Sequence, residues 1–128
     1  MKHLRHLEAA QLDTPGLVTI GMFDGVHRGH QALIDRAVSD AHSRPGTVPM
    51  VLTFDPNPAR LMRPDGYPGD LSSVGQRVGL CAERGIREVL VVQFSSAFAE
   101  LPGREFLVRL IRIVPRLSAV VVGFNFHL

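Results

Sequence analysis

Four short apolar runs restrict the fold more tightly than any other feature of the chain. They are "LVTIGM" (17–22), "VPMVLTF" (48–54), "EVLVVQF" (88–94) and "SAVVVGF" (118–124). All four are rich in valine and none alternates strictly with polar residues, the pattern of strands covered on both faces of a parallel sheet. Helical patterns lie between them. Residues 30–42 put Leu33, Ile34, Ala37, Val38 and Ala41 on one stripe, as an amphipathic helix requires. Residues 74–84 follow Ser73, which with Gln76 makes a capping box, and Gly85 is placed to stop that helix. Residues 103–114 carry Phe106, Leu107, Leu110, Ile111 and Val114 on one face, and Pro115 ends them. Strands alternating with helices make βαβ units, so the expected fold is α/β, a Rossmann-like parallel sheet flanked by helices and joined by right-handed crossovers.

Composition narrows the function classes. A chain of 128 residues, 45% hydrophobic and 20% charged, forms one domain with a real core. It has no tryptophan and only 6% aromatic residues, which argues against a stacking platform for single-stranded nucleic acid. The net charge is +2 and the cations are scattered, with Arg60 and Arg63 the nearest approach to a patch. No nucleic-acid partner is expected. The single cysteine, Cys81, cannot form an intrachain disulfide, favours a reducing compartment and is read as a core residue. The N-terminal "MKHLRHLEAAQLD" has no signal-peptide core, and no run reaches the roughly 20 apolar residues of a membrane span. A cytoplasmic protein without membrane contact is the expectation. The Pro- and Gly-rich stretch 55–70, "DPNPARLMRPDGYPGD", is too long for a plain connection and reads as a functional loop or lid.

The chemistry concentrates in "GMFDGVHRGH" (21–30), directly after "LVTI" of the first run. In open α/β sheets ligands bind outside the carboxyl ends of the strands, where this segment lies. Its glycines let backbone come close to a phosphate, and the helix that follows offers the positive end of its dipole to an anion. His27 and His30 are three residues apart, about one helical turn, and both can donate to phosphate oxygens. The segment is neither a Walker loop nor a G-x-G-x-x-G dinucleotide fingerprint. Zinc is a poor reading too, because no third or fourth ligand accompanies the pair, so no protein metal site is expected. Asp24 reads equally as an N-cap or Asx-turn residue, and Asn125 as a stabiliser of a tight turn. Pro56 and Pro58 read as rigid loop formers, His3, His6 and His42 as structural or solvent-exposed, and Arg104, Arg109 and Arg112 as a solvated helix face.

The H-x-G-H of this turn resembles the signature of the nucleotidyltransferase superfamily. "TIGMFDGVHRGHQALI", "VLTFDPNP", "GIREVLVVQFSSAFAELPGREFL" and "VVVGFNF" together resemble, in order and spacing, the bacterial FAD synthetase family. More narrowly, they resemble the FMN adenylyltransferase module of bifunctional riboflavin kinase/FAD synthetase. The resemblance implies transfer of AMP from ATP to FMN, giving FAD and pyrophosphate, with Mg²⁺ accompanying the ATP. It implies that Gly21, Phe23, Asp24 and Gly25 shape the ATP pocket and that His27 and His30 are catalytic contacts to the phosphates. On the flavin side it implies Phe54, Pro56, Pro58 and above all Asn125. Met22 stands where the family usually has a polar residue and Asn57 where histidine is common. The family domain continues past the position of Leu128, so residues 1–128 are expected to be an adenylyltransferase domain missing its last elements, with no riboflavin kinase domain. Two alternatives stand beside this reading. One is a nucleotidyltransferase with another phosphate acceptor. The other is a catalytically inactive nucleotide- or flavin-binding module that self-associates through an incomplete sheet.

Overall fold

The computed structural model describes residues 2–4, 12–23, 28–55, 65 and 73–123, with the first three described as backbone only. Five strands form one sheet: β1 (Lys2–Leu4), β2 (Gly16–Ile20), β3 (Val48–Asp55), β4 (Glu88–Gln93) and β5 (Leu117–Val122). The helices are α1 (Arg28–His42), α2 (Val74–Glu83), the single-turn α3 (Ser96–Ala99) and α4 (Gly103–Ile113). The spatial order is β1-β4-β3-β2-β5, and every pairing is parallel. This is the expected Rossmann-like α/β sheet.

The strand order explains the layering. From β2 the chain adds β3 and then β4 on one side, and it returns to place β5 on the other side of β2. With crossovers of a single hand, reversing the direction of travel puts the connecting helix on the opposite face. The core follows that rule. Val18, Ile20, Met50, Leu52, Leu90 and Val92 pack against Phe106, Leu110 and Ile113 of α4. On the other face Val51, Val89 and Val91 meet Ile34 of α1 and Cys81 of α2, while Leu17 meets Ala37 and Ala41. Residues one apart along a strand therefore serve opposite layers.

Local signals set the element ends. Gln76 donates its backbone N–H to Ser73 Oγ at 3.1 Å, and the Ser73 backbone N–H donates to Gln76 Oε1 at 2.8 Å, completing the capping box. Gly85 follows α2 with φ +102°, and a Cβ there would meet Val38 Cγ1 at 3.2 Å. Arg84, at the C-cap of α2, donates through Nε and Nη2 to both oxygens of Asp35 on α1, at 3.0 and 2.6 Å. This bidentate pair clamps the two helices of one layer together.

Three sequence expectations need correction. α1 starts at Arg28, two residues before the expected start. The buried stripe of α4 is Phe106, Leu110 and Ile113, whereas Ile111 is half exposed. Ile111 lies a full residue's rotation from Leu110, about 100°, which takes it off the stripe. Finally, β5 lies at the edge of the sheet among the described residues and is covered only in part, unlike the fully buried β2. β1 and α3 were not expected at all. The 55–70 segment lies outside the described residues except for Asp55 and Asp65.

Candidate functional site at the carboxyl ends of three strands

The sheet reverses its strand order between β2 and β5, the topological switch point at which open α/β sheets bind ligands. Ile20 pairs in register with Val122, so Gly21 and Gly123 leave the sheet side by side. Ile20 also pairs with Leu52, and β3 continues three residues further to Asp55. The three segments singled out in the sequence thus begin on adjacent strands at one end of the sheet.

Gly21, Phe23 and His30 form a compact unit there. Phe23 is 1% exposed and has φ +54°. That conformation is disfavoured for a bulky residue by about 1–2 kcal/mol, and it turns the ring back over the strand end. A Cβ on Gly21 would sit 3.1 and 3.2 Å from Phe23 Cζ and Cε2. A side chain at position 21 would crowd the Phe23 ring, which would have to shift by a few tenths of an ångström to admit it. The ring also meets the His30 imidazole in an edge-type contact, with centroids 5.4 Å apart at an interplanar angle of 73°. His30 is the third residue of α1, in the positively polarised first turn. The strand end, the folded-back ring and the helix start together fix where this imidazole stands.

Phe54 is placed differently from a simple surface contact. Its ring is buried on the α4 side and joins Phe94 and Phe98, with centroid distances of 5.8 and 5.7 Å. Phe98 continues the cluster to Phe106 at 5.9 Å. Phe94 and Phe98 are partly exposed, so an apolar aromatic wall lies beside the carboxyl end of β4. The sequence reading passed over these two rings. A signal existed in their spacing, for Phe94 and Phe98 are four apart across the short helix capped by Ser95.

Sequence reasoning also missed Arg77. It is 1% exposed, and its Nη1 donates to Met22 O (3.1 Å), Thr53 Oγ1 (3.0 Å) and Phe54 O (3.2 Å). Thr53 Oγ1 in turn donates to Met22 O at 3.0 Å. Cys81, one turn along α2, is buried as expected, and burial pushes its thiol pKa up to about 11 while Arg77 pulls the other way. Asp24, Gly25 and His27, Pro56 and Pro58, and Asn125 lie outside the described residues. Among the described residues no group of three or more His, Cys, Asp or Glu side chains could hold a metal, and no helix is long and apolar enough to cross a membrane.

A parallel sheet whose strand order reverses beside the His30-bearing start of α1 is an α/β fold of the Rossmann-like class to which nucleotidyltransferases belong. The particular family follows from the comparisons: the model of the FAD synthetase family matches residues 9–128, and the chain belongs to that family. It is similar to the bifunctional riboflavin kinase/FMN adenylyltransferase of Escherichia coli K12, with 36% identity over 111 residues, 87% of this chain and 35% of the relative. The enzyme of the same description from Bacillus subtilis 168 is 31% identical over 125 residues, 97% of this chain and 39% of the relative. The chain therefore spans well under half the length of these relatives. A solved structure described as a macrolide-efflux protein from Streptococcus pneumoniae superposes with a TM-score of 0.85 at 24% identity, covering 99% of this chain and 42% of that one. That likeness shows the fold alone.

Proposed function

We propose that residues 1–128 act as an FMN adenylyltransferase domain that transfers AMP from ATP to FMN and releases FAD and pyrophosphate. The observation that carries this reading is the convergence of three segments on adjacent strand ends. The start of α1, which follows β2, holds His30, the end of β3 holds Phe54, and Gly123 leaves β5 beside Gly21. Family membership and relatives named for this activity support it.

The acceptor chemistry suits such a site. The second phosphate pKa of FMN is about 6, so its phosphate is largely dianionic near neutrality and attacks without a general base. An FMN phosphate oxygen forms a bond to the α-phosphorus of ATP, and the bond from that phosphorus to the bridging oxygen breaks, releasing pyrophosphate. Magnesium enters with ATP as part of the substrate and offsets phosphate charge. The protein's task is then to position two anions and to donate hydrogen bonds where charge builds. His30, with His27, is assigned that donation, and Gly21, Phe23, Asp24 and Gly25 the shaping of the nucleotide side. Phe54, Pro56, Pro58 and Asn125 are assigned to the flavin side, where the Phe94 and Phe98 rings add a surface on which a planar ring system can pack.

Incubation of the chain with FMN, ATP and Mg²⁺, followed by chromatography for FAD and a pyrophosphate assay, tests the proposal. Stoichiometric FAD and pyrophosphate are expected. Binding of both substrates without either product would make the chain a binding module instead.

A further inference from the structure

Arg77 presents an energetic puzzle. Its Nη1 hydrogens are shared among two carbonyls and a hydroxyl, whereas its Nε and Nη2 are buried and have no hydrogen-bond partner among the described residues. A guanidinium shut away from water without a carboxylate weakens a fold, and an apolar side chain of similar length often serves stability better. Stability alone therefore does not account for arginine at this position.

What Arg77 joins is informative. Pairing between β2 and β3 stops at Ile20 and Leu52, so Met22 and Phe54 both lie beyond the shared ladder. One nitrogen of Arg77 holds both of their carbonyls, and Thr53 reinforces the grip on Met22. Met22 lies between β2 and α1, the helix that carries His30, and Phe54 opens the segment on the other side of the site. The guanidinium thus ties the two strand ends together from inside the core, on an α2 that is itself clamped to α1 by Arg84 and Asp35.

We propose that Arg77 is a positioning residue for the transfer reaction, setting the spacing between the nucleotide-side turn at Met22 and the flavin-side strand end at Phe54. The proposal rests on the function proposed above. Joining two bound anions in line is sensitive to spacing, and a misplacement of about 1 Å reduces rate about 100-fold. Arg77 is buried beneath both strand ends. It acts through the two carbonyls it holds.

The test compares the full chain with Arg77→Met and Arg77→Lys, reading melting temperature, backbone amide exchange and steady-state kinetics. Arg77→Met is expected to melt at or above the wild-type temperature, because it removes a buried charge that has no carboxylate partner among the described residues. Exchange should nevertheless accelerate in peptides carrying Gly21–Phe23 and Phe54–Asp55 while α1 and α4 stay protected. Its kcat should fall by at least about 30-fold with KM for ATP and FMN changed by less than about three-fold, the signature of lost alignment and not of lost binding. Arg77→Lys keeps a cation and a donor and should recover part of kcat. Unchanged exchange at both strand ends in Arg77→Met overturns the proposal, as does a kcat within about three-fold of wild type. If Arg77→Met unfolds, Thr53→Val, which loosens the same grip on Met22, takes its place, and unchanged exchange in the Gly21–Phe23 peptide together with a kcat within about three-fold of wild type overturns the proposal. Loosened strand ends in a chain whose wild type makes no FAD would leave Arg77 as the tie and remove adenylyl transfer, so the two readings fail separately.

Discussion

The edge-on contact between Phe23 and His30, 5.4 Å between ring centroids, makes a candidate phosphate donor depend on a residue with positive φ. Phe23 fills the space that Gly21 leaves and also contacts the imidazole. Sequence, backbone conformation and site chemistry are coupled within ten residues. Gly21→Ala tests the coupling directly. Its new Cβ would crowd the ring at 3.1 Å, and overpacking of this kind destabilises by about 1–3 kcal/mol. In urea unfolding, Gly21→Ala combined with Phe23→Leu should be less destabilised than the sum of the single changes, with a coupling of about 1 kcal/mol. Strict additivity would show that the two residues do not share this space.

His30→Ala separates catalysis from binding. If the imidazole donates to charge that develops during transfer, its loss should lower kcat by roughly 10²–10³. FMN affinity, measured by flavin fluorescence, should stay near the wild-type value. Equal losses in rate and in FMN affinity would refute the assigned role.

Much of this arrangement could be read from residues, and the rest could not for definable reasons. Val18, Val51 and Val91 lie in runs whose composition marks buried strands, so β2 to β5 were legible. The capping box at Ser73 and Gln76 is a local signal and was legible too. β1 was not, because three residues among Lys and His carry no apolar pattern, although short charged segments suit a sheet edge. Arg77 was the hardest to foresee. It sits in a helix among Gln76 and Val78, where arginine reads as solvated, and only the tertiary fold reveals it beneath two strand ends. His30 was legible from the turn's glycine and histidine spacing, but its ring partner depends on the φ of Phe23, which no composition encodes.

Thr19 offers a stability test on the central strand. It is fully buried in β2, and its Oγ1 has no hydrogen-bond partner among the described residues. Leaving a buried hydroxyl unsatisfied costs about 1–3 kcal/mol. Thr19→Val, close in shape, should therefore raise stability by about 1 kcal/mol in urea unfolding. A loss of stability would mean that the hydroxyl makes a bond of its own.

Cys81 links pH to folding. Its thiol pKa is pushed from 9.0 up to about 11, chiefly by burial, with Arg77 acting in the opposite direction. The unfolded chain therefore ionises this thiol first as pH rises past 9. The stability that the neutral thiol contributes is fully present below pH 9 and is lost between about 9 and 11. Cys81→Ala should flatten that part of the pH–stability curve while leaving the curve below pH 8 parallel to wild type. At pH 8 the folded protein should react with iodoacetamide about 100-fold more slowly than a free thiol, since each pKa unit lowers the thiolate fraction about tenfold. Arg77→Met removes the one influence that lowers this pKa, so its thiol should titrate higher still, read from thiolate absorbance against pH. An unchanged titration midpoint in that variant would place the guanidinium charge too far from Cys81 to be felt, in conflict with the one-turn spacing of the two residues on α2.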